Sequence, residues 1–283
     1  MKRWLVVLPI LAVLFSGCEV VFNTPAEESY EETFAVSDGY TRIDLDNESG
    51  NVIVNAVEGD SIIVEYTKKC MGSNDRDANE HLNDIDVTLK GTAGQITITA
   101  EFPTFEETRN YEAIFTITAP PDIIMELSAN KGNIDISGMT TSPVLNTTQG
   151  DITIADFECD VDATSGDGDI ECSLDVLPDS GNVNLTTEDG YQTLVIKDMD
   201  TTGTIILSAS GIGEINATLP SDAKLDFDLE CVTGEVRIEG FPTEDITYTE
   251  QGNKKKVGTI GEGTRATFTA SSEEGDVNLK AAQ

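Results

Sequence analysis

The chain has 283 residues, with 52 acidic side chains against 17 lysines and arginines and a formal net charge of −35. Such an excess repels nucleic acid and anionic lipid headgroups, and it is compatible with divalent cations, cationic partners or a saline habitat. A single histidine and the lack of any C-x-x-C pair exclude the familiar zinc spacings.

Residues 1–17, MKRWLVVLPILAVLFSG, run from two cations through an apolar stretch to small residues. That is the layout of a secretory signal peptide, and the run is too short for a membrane span. Cys18 follows, and FSGC resembles the lipobox of bacterial lipoproteins, with Phe15 where Leu is usual. The expectation is an exported protein whose amino end is held at a membrane by acyl chains on Cys18. Removing residues 1–17 leaves 15 cations against 52 acids, a net charge of −37. Glu19, directly after the cysteine, is compatible with an outer-membrane destination in a double-membraned bacterium, and the expected location is the outer membrane or cell surface.

Residues 18–32 include EVVFNTPAEESYEE, which is acidic and has no sustained period, so they are expected to form a tether. Residues 33–283 are long enough for a large core and read as one elongated domain. Within them SNDRDANEHLNDI (73–85) predicts a short helix on an inserted loop.

The rest of the chain is dominated by an internal repeat. GNVIV starts at Gly50, GNIDI at Gly132, GDITI at Gly150, GDIEC at Gly168 and GNVNL at Gly181; GEINA, GEVRI and GDVNL follow at Gly213, Gly234 and Gly275. Each is a glycine, an acid or amide, then an apolar alternation, which is a turn feeding a half-buried strand. A leucine stands five places ahead of the glycine in LSANKG, LNTTQG, LTTEDG and LECVTG, with a small or hydroxyl residue three ahead. Such a repeat predicts an all-β, right-handed parallel β-helix or solenoid-like stack of short strands. Ile136, Ile154 and Cys172 take equivalent inward positions, as do Leu127 and Leu145.

These repeats, together with TITAPPDIIMELSANKGNIDISG (116–138), ATLPSDAKLDFDLECVTGEVRI (217–238) and GEGTRATFTASSEEGDVNL (261–279), resemble the bacterial "putative adhesin" family of exported β-solenoid proteins. The resemblance implies a β-solenoid at the cell envelope. It transfers no catalytic residue.

TSGDGDIEC (164–172) is the densest acidic motif and reads as a repeat turn carrying two inserted residues, Gly166 and Asp167; ASGIGEIN (209–216) has a similar insertion. Asn and Asp favour such turns, and glycine supplies positive φ. A calcium loop needs six to eight oxygens converging on one point. Acids recurring once per rung instead make a ridge, so Asp151, Asp167 and Asp169 are at most weak Ca²⁺ ligands.

His81 is expected in a solvated loop, and NKKKV (253–257) at a hairpin tip that discourages edge pairing. Cys159 and Cys172 form the candidate disulfide; Cys231 is a further inward thiol, and Cys70 lies beside the inserted loop. The functional expectation is a non-enzymatic envelope lipoprotein, adhesin-like or scaffolding, that binds a surface polymer or protein. Two alternatives stay open: a calcium-assisted polysaccharide-active enzyme, which needs carboxylates clustered beside Arg237, and a periplasmic spacer of a signalling or assembly system.

Overall fold

The computed structural model describes residues 23–92, 94–103, 109–199 and 202–282. The signal segment 1–17 and the lipidation candidate Cys18 lie outside the described residues.

The chain begins with strands β1 (Thr24–Ala35), β2 (Arg42–Asn47), β3 (Val52–Ala56) and β4 (Ser61–Gly72), then helix α1 (Asp75–His81). Strands β5 (Asp86–Thr92), β6 (Gln95–Glu101), β7 (Tyr111–Ala119), β8 (Ile124–Lys131) and β9 (Ile134–Ser137) lead into the repeats. Then come β10 (Val144–Gln149), β11 (Ile152–Phe157), β12 (Val161–Asp167), β13 (Ile170–Leu177), β14 (Gly181–Asp189) and β15 (Gln192–Met199). The chain ends with β16 (Gly203–Ile212), β17 (Ile215–Leu219), β18 (Leu225–Thr233), β19 (Val236–Glu239), β20 (Ile246–Gln251), β21 (Lys255–Ile260), β22 (Ala266–Glu274) and β23 (Val277–Ala281).

Two long sheets face each other, sheet A in the order β1-β4-β7-β3-β9-β11-β13-β15-β17-β23-β19 and sheet B in the order β20-β21-β18-β22-β16-β14-β12-β10-β8-β2-β6-β5. Each repeat rung supplies one strand to each sheet and, except between β6 and β7, turns at a glycine between them. Successive rungs pair in parallel: Ile134, Ile152 and Ile170 stack in sheet A, and Leu45, Leu127 and Leu145 in sheet B. Antiparallel pairs occur only at β1–β4, β4–β7, β5–β6, β18–β21 and β20–β21 among the described residues. All six are buried, and each such side chain contributes about 1.5–3 kcal/mol on removal from water. The expected column of Ile136, Ile154 and Cys172 forms as read.

Rungs do not follow chain order at the ends. β2 and β3 lie between β6/β7 and β8/β9, and β22 and β23 insert between β16/β17 and β18/β19. The last rung laid down therefore fills a slot left open earlier.

Residues 24–32, expected within a tether, are instead most of β1, which pairs with β4 over twelve positions. Ala26 and Phe34 point inward, and Tyr30 stacks on Tyr66 with ring centroids 4.9 Å apart. Glu27 and Glu28 stand opposite Lys69 and Lys68, with Lys69 Nζ 3.5 Å from Glu27 and Lys68 over the Tyr30 ring. Cross-strand pairing thus accommodates the glutamates.

The inserted helix forms where expected. The Asn74 side chain accepts from the N–H groups of Arg76 and Asp77, an N-cap, and Ala78, Leu82 and Ile85 make a small second core with Ala26 and Cys70. His81 Nδ1 contacts the Asp77 carbonyl oxygen at 2.8 Å, and Arg109 grips the Asp77 carboxylate through two bonds of 2.8 and 3.1 Å.

The turn at 164–168 differs from its sequence reading. Ala163 pairs with Leu145 and Asp167 with Gln149, so no residues are inserted there. Gly166 takes the place of Thr148, where a Cβ would meet the Thr148 carbonyl oxygen at 2.5 Å. The insertion near 209–212 exists but is one residue rather than two, a register shift between Ala209 and Ile212.

Candidate functional site

The corner between the sheets is built on glycine stacked on glycine. At Gly132 φ is +143°, and a Cβ would lie 2.3 Å from the Gly50 carbonyl oxygen; Gly150 repeats the relation to Gly132 at 2.2 Å. Any side chain would push the rungs apart, which is why the repeat keeps this residue. Inside the corner, hydroxyls three places ahead of the glycines satisfy the crowded carbonyls. Thr147 Oγ1 donates to Gly132 O at 3.1 Å, Ser165 Oγ to Gly150 O at 2.9 Å and Ser272 Oγ to Gly213 O at 2.7 Å.

Outside the corner, the residue after each glycine forms a ladder. Asn133 N–H donates to Asn51 Oδ1, Asp151 N–H to Asn133 Oδ1 and Asp169 N–H to Asp151 Oδ1, each at 3.0 Å. Tyr191 N–H then donates to Asp169 Oδ1 at 2.8 Å. These short polar side chains satisfy amides that the turns leave open. Asp151 and Asp169 thereby spend one carboxylate oxygen each on the rung above. Asp167 belongs to the neighbouring column, 3.5 Å from Gln149 Nε2. Among the described residues, no three His, Cys, Asp or Glu side chains converge in a way that could hold a metal ion.

Arg237 is brought beside carboxylates. It is hydrogen-bonded to Asp276 and to Glu235 at 2.8 Å, and Asp276 also accepts the Glu235 N–H. Those contacts, the backbone N–H first, lower the Asp276 pKa, while Asp276 and Glu235 raise that of Arg237. Both charges are reinforced, the opposite of a group poised to give or take a proton near neutrality.

Cys70, Cys159, Cys172 and Cys231 are all buried thiols, with no disulfide between them. Burial pushes Cys159 and Cys172 up to about 12, and charge on Cys159 adds to the effect on Cys172. NKKKV begins at the β20–β21 turn, but its lysines fold back: Lys255 pairs with Glu230 at 2.7 Å, and Lys254 and Lys256 donate to the carbonyls of Val232 and Val236.

Two surface features escape a reading of the repeats one at a time. Register assembles Ser128, Asn146, Thr164, Thr186, Ser208 and Ser271 into one column across the outer face of sheet B. All are exposed or half-buried, one per rung at about 4.8 Å spacing. The second feature is apolar: Tyr191 and Ile212 project from the glycine corner, 54% and 65% exposed. Alternation along each strand marks outward positions, yet only the pairing shows which of them line up.

Residues 124–212 match the family profile described as Toastrack DUF4097. A comparison with curated proteins finds no match. Among solved structures, one from Clostridium sporogenes, described as a "putative cell adhesion protein", aligns over 90% of this chain and 100% of its own at 14% identity with a TM-score of 0.36. A "putative adhesin" from Bacteroides fragilis aligns over 89% and 97% at 13% identity with a TM-score of 0.37. A "putative lipid binding protein" from Parabacteroides distasonis aligns over 89% and 96% at 12% identity with a TM-score of 0.34. Strands β8 to β16 of this solenoid, residues 124–212, are thus the part of the chain that is similar to the Toastrack DUF4097 family.

Proposed function

We propose that the protein is a non-enzymatic envelope lipoprotein, anchored through Cys18, whose β-solenoid acts as an adhesin-like or scaffolding surface for a polymer or protein of the cell exterior. The observation that carries this reading is the column of small hydroxyl and amide side chains on sheet B, Ser128 through Ser271. A flat face with one donor–acceptor group per rung matches a ligand that itself repeats, and stacked-repeat folds offer such extended surfaces. The exported address read from residues 1–18 supports the same conclusion.

The test removes hydroxyls with little change in side-chain volume. In Thr164→Val/Thr186→Val/Ser208→Ala each position stays close to its native size, and the two valines keep β-favouring side chains. Retention of the purified protein on plates coated with envelope polysaccharide is expected to fall at least tenfold, with an unchanged melting temperature. Equal retention of variant and wild type would refute the proposed binding face.

A further inference from the structure

Tyr191 and Ile212 stand on successive rungs of the glycine corner, in places where neighbouring rungs carry acids. Tyr191 follows Gly190 in the ladder position of Asp151 and Asp169. Ile212 reaches solvent through a bulge in β16, where the register shifts after Ala209. The bulge is tightly specified: a Cβ on Gly211 would lie 2.2 Å from Asp189 Oδ1, the same oxygen that accepts the Ile212 N–H at 2.8 Å. Bulges re-aim side chains, and this one turns a large apolar group outward.

The backbone beneath the pair is fixed. Asp169 holds the Tyr191 N–H, and the Ile212 carbonyl oxygen accepts from Gly190 N–H at 2.9 Å. Rigidly presented aromatic and aliphatic groups lose little conformational entropy on binding, which makes them good anchors. Their surroundings are strongly anionic. Residues 132–223 contain 17 acids and a single cation, Lys197, which is itself paired with Asp175 at 2.6 Å.

We propose that the Tyr191–Ile212 edge docks a basic polypeptide segment of another protein. An apolar side chain of the partner covers Tyr191 and Ile212, and its lysines or arginines face Asp169, Asp189 and Glu214. Charge complementarity selects this occupant: a copy of the same chain brings a net negative surface, and its basic hairpin is already engaged with its own strands. The edge is separate from the hydroxyl column on sheet B, so the inference goes beyond the polymer-binding reading and stands or falls independently of it.

The chain from residue 19 onward is titrated with fluorescein-labelled peptides KKLWKK, KKKKKK and EELWEE at physiological salt. The wild type is expected to bind KKLWKK at least tenfold more tightly than either control. Tyr191→Ser/Ile212→Ser is expected to erase that advantage over KKKKKK while keeping the melting temperature. If the double variant is less stable, Tyr191→Gln alone is scored in the same way. Equal affinity for KKLWKK and KKKKKK, or a variant that keeps the advantage, would overturn the proposal. Sedimentation showing a wild-type dimer that the variant abolishes would also overturn it, since the edge would then face a second copy.

Discussion

Replacing Gly132 with alanine probes the feature on which the whole stack rests. The new Cβ would sit 2.3 Å from the Gly50 carbonyl oxygen and 2.6 Å from its carbon, at a backbone φ of +143°. Relieving the contact requires the rungs to part by about an ångström, and overpacking of that kind costs about 1–3 kcal/mol. Positive φ adds about 1 kcal/mol for a residue with a side chain. The expected loss is about 3 kcal/mol, or roughly 6–12 °C in melting temperature for a domain of this size. Two controls separate the causes. Gly39 has φ of +89° with nothing within 4 Å of a Cβ, so Gly39→Ala carries the backbone cost alone; at Gly59 the nearest atom is 3.9 Å away, and Gly59→Ala is expected to be neutral. The assay is urea unfolding followed by circular dichroism. A Gly132→Ala loss no larger than that of Gly39→Ala would refute the glycine-on-carbonyl account of the corner.

Gln192 interrupts the isoleucine column of sheet A; it is fully buried and its Oε1 has no partner. Gln192→Leu removes that orphan at the loss of bonds to Thr187 Oγ1 and the Ser208 carbonyl. Stability in urea is expected to hold or to rise by about 1 kcal/mol, and a loss beyond that would show the Gln192 network to be net stabilising. Asp77 is held well below its ordinary value of 3.8, first by Arg109 and then by the Ser73 N–H. A lowered native pKa contributes stability above the unfolded value and loses it as pH falls through and below that range. Amide protection factors over 75–84, relative to the intrinsic exchange rate at each pH, should therefore fall below about pH 4 in the wild type, and at neutral pH in Asp77→Asn; matching protection at neutral pH would refute it. With Cys159 and Cys172 buried and pushed up to about 12, none of the four thiols should react with iodoacetamide at pH 8 until urea is added. Mass spectrometry of the unfolded chain from residue 19 onward should count four alkylated thiols, and a shortfall of two at Cys159 and Cys172 would reveal a bridge instead. Cys18→Ser is expected to move the protein from the membrane fraction to the soluble fraction, measured by ultracentrifugation of lysed cells.

Much of the solenoid was legible because glycine and alternation are local. The glycine starts and the Leu-to-Gly spacing place strands, corners and the inward columns through Ile154 and Leu145. GNVNL is the exception: Gly181 opens β14 of sheet B and pairs with Gly203, and the corner glycine stacked on Gly168 is Gly190. The N-capped insertion was legible for the same reason. β1 was not: it is an edge strand with glutamates exposed on both sides, so TPAEESYEETFA shows no alternation. Its order comes from Lys68, Lys69 and Tyr66, far along the chain. Rung order at the ends was equally hidden, since Ile215 pairs with Val277 and Val236 lies beyond it. No local spacing records which distant rung fills an open slot. The candidate surfaces depend on that register, so the repeats showed that Thr164 and Thr186 point outward but not that they stand side by side.

The central claim is that this solenoid faces the cell exterior on a lipid anchor. Protease treatment of intact cells carrying an epitope tag after Gln283, with lysed cells as control, tests it most directly. Loss of the tag from intact cells is the predicted result. A tag protected until lysis would contradict the account and place the hydroxyl face among partners inside the envelope.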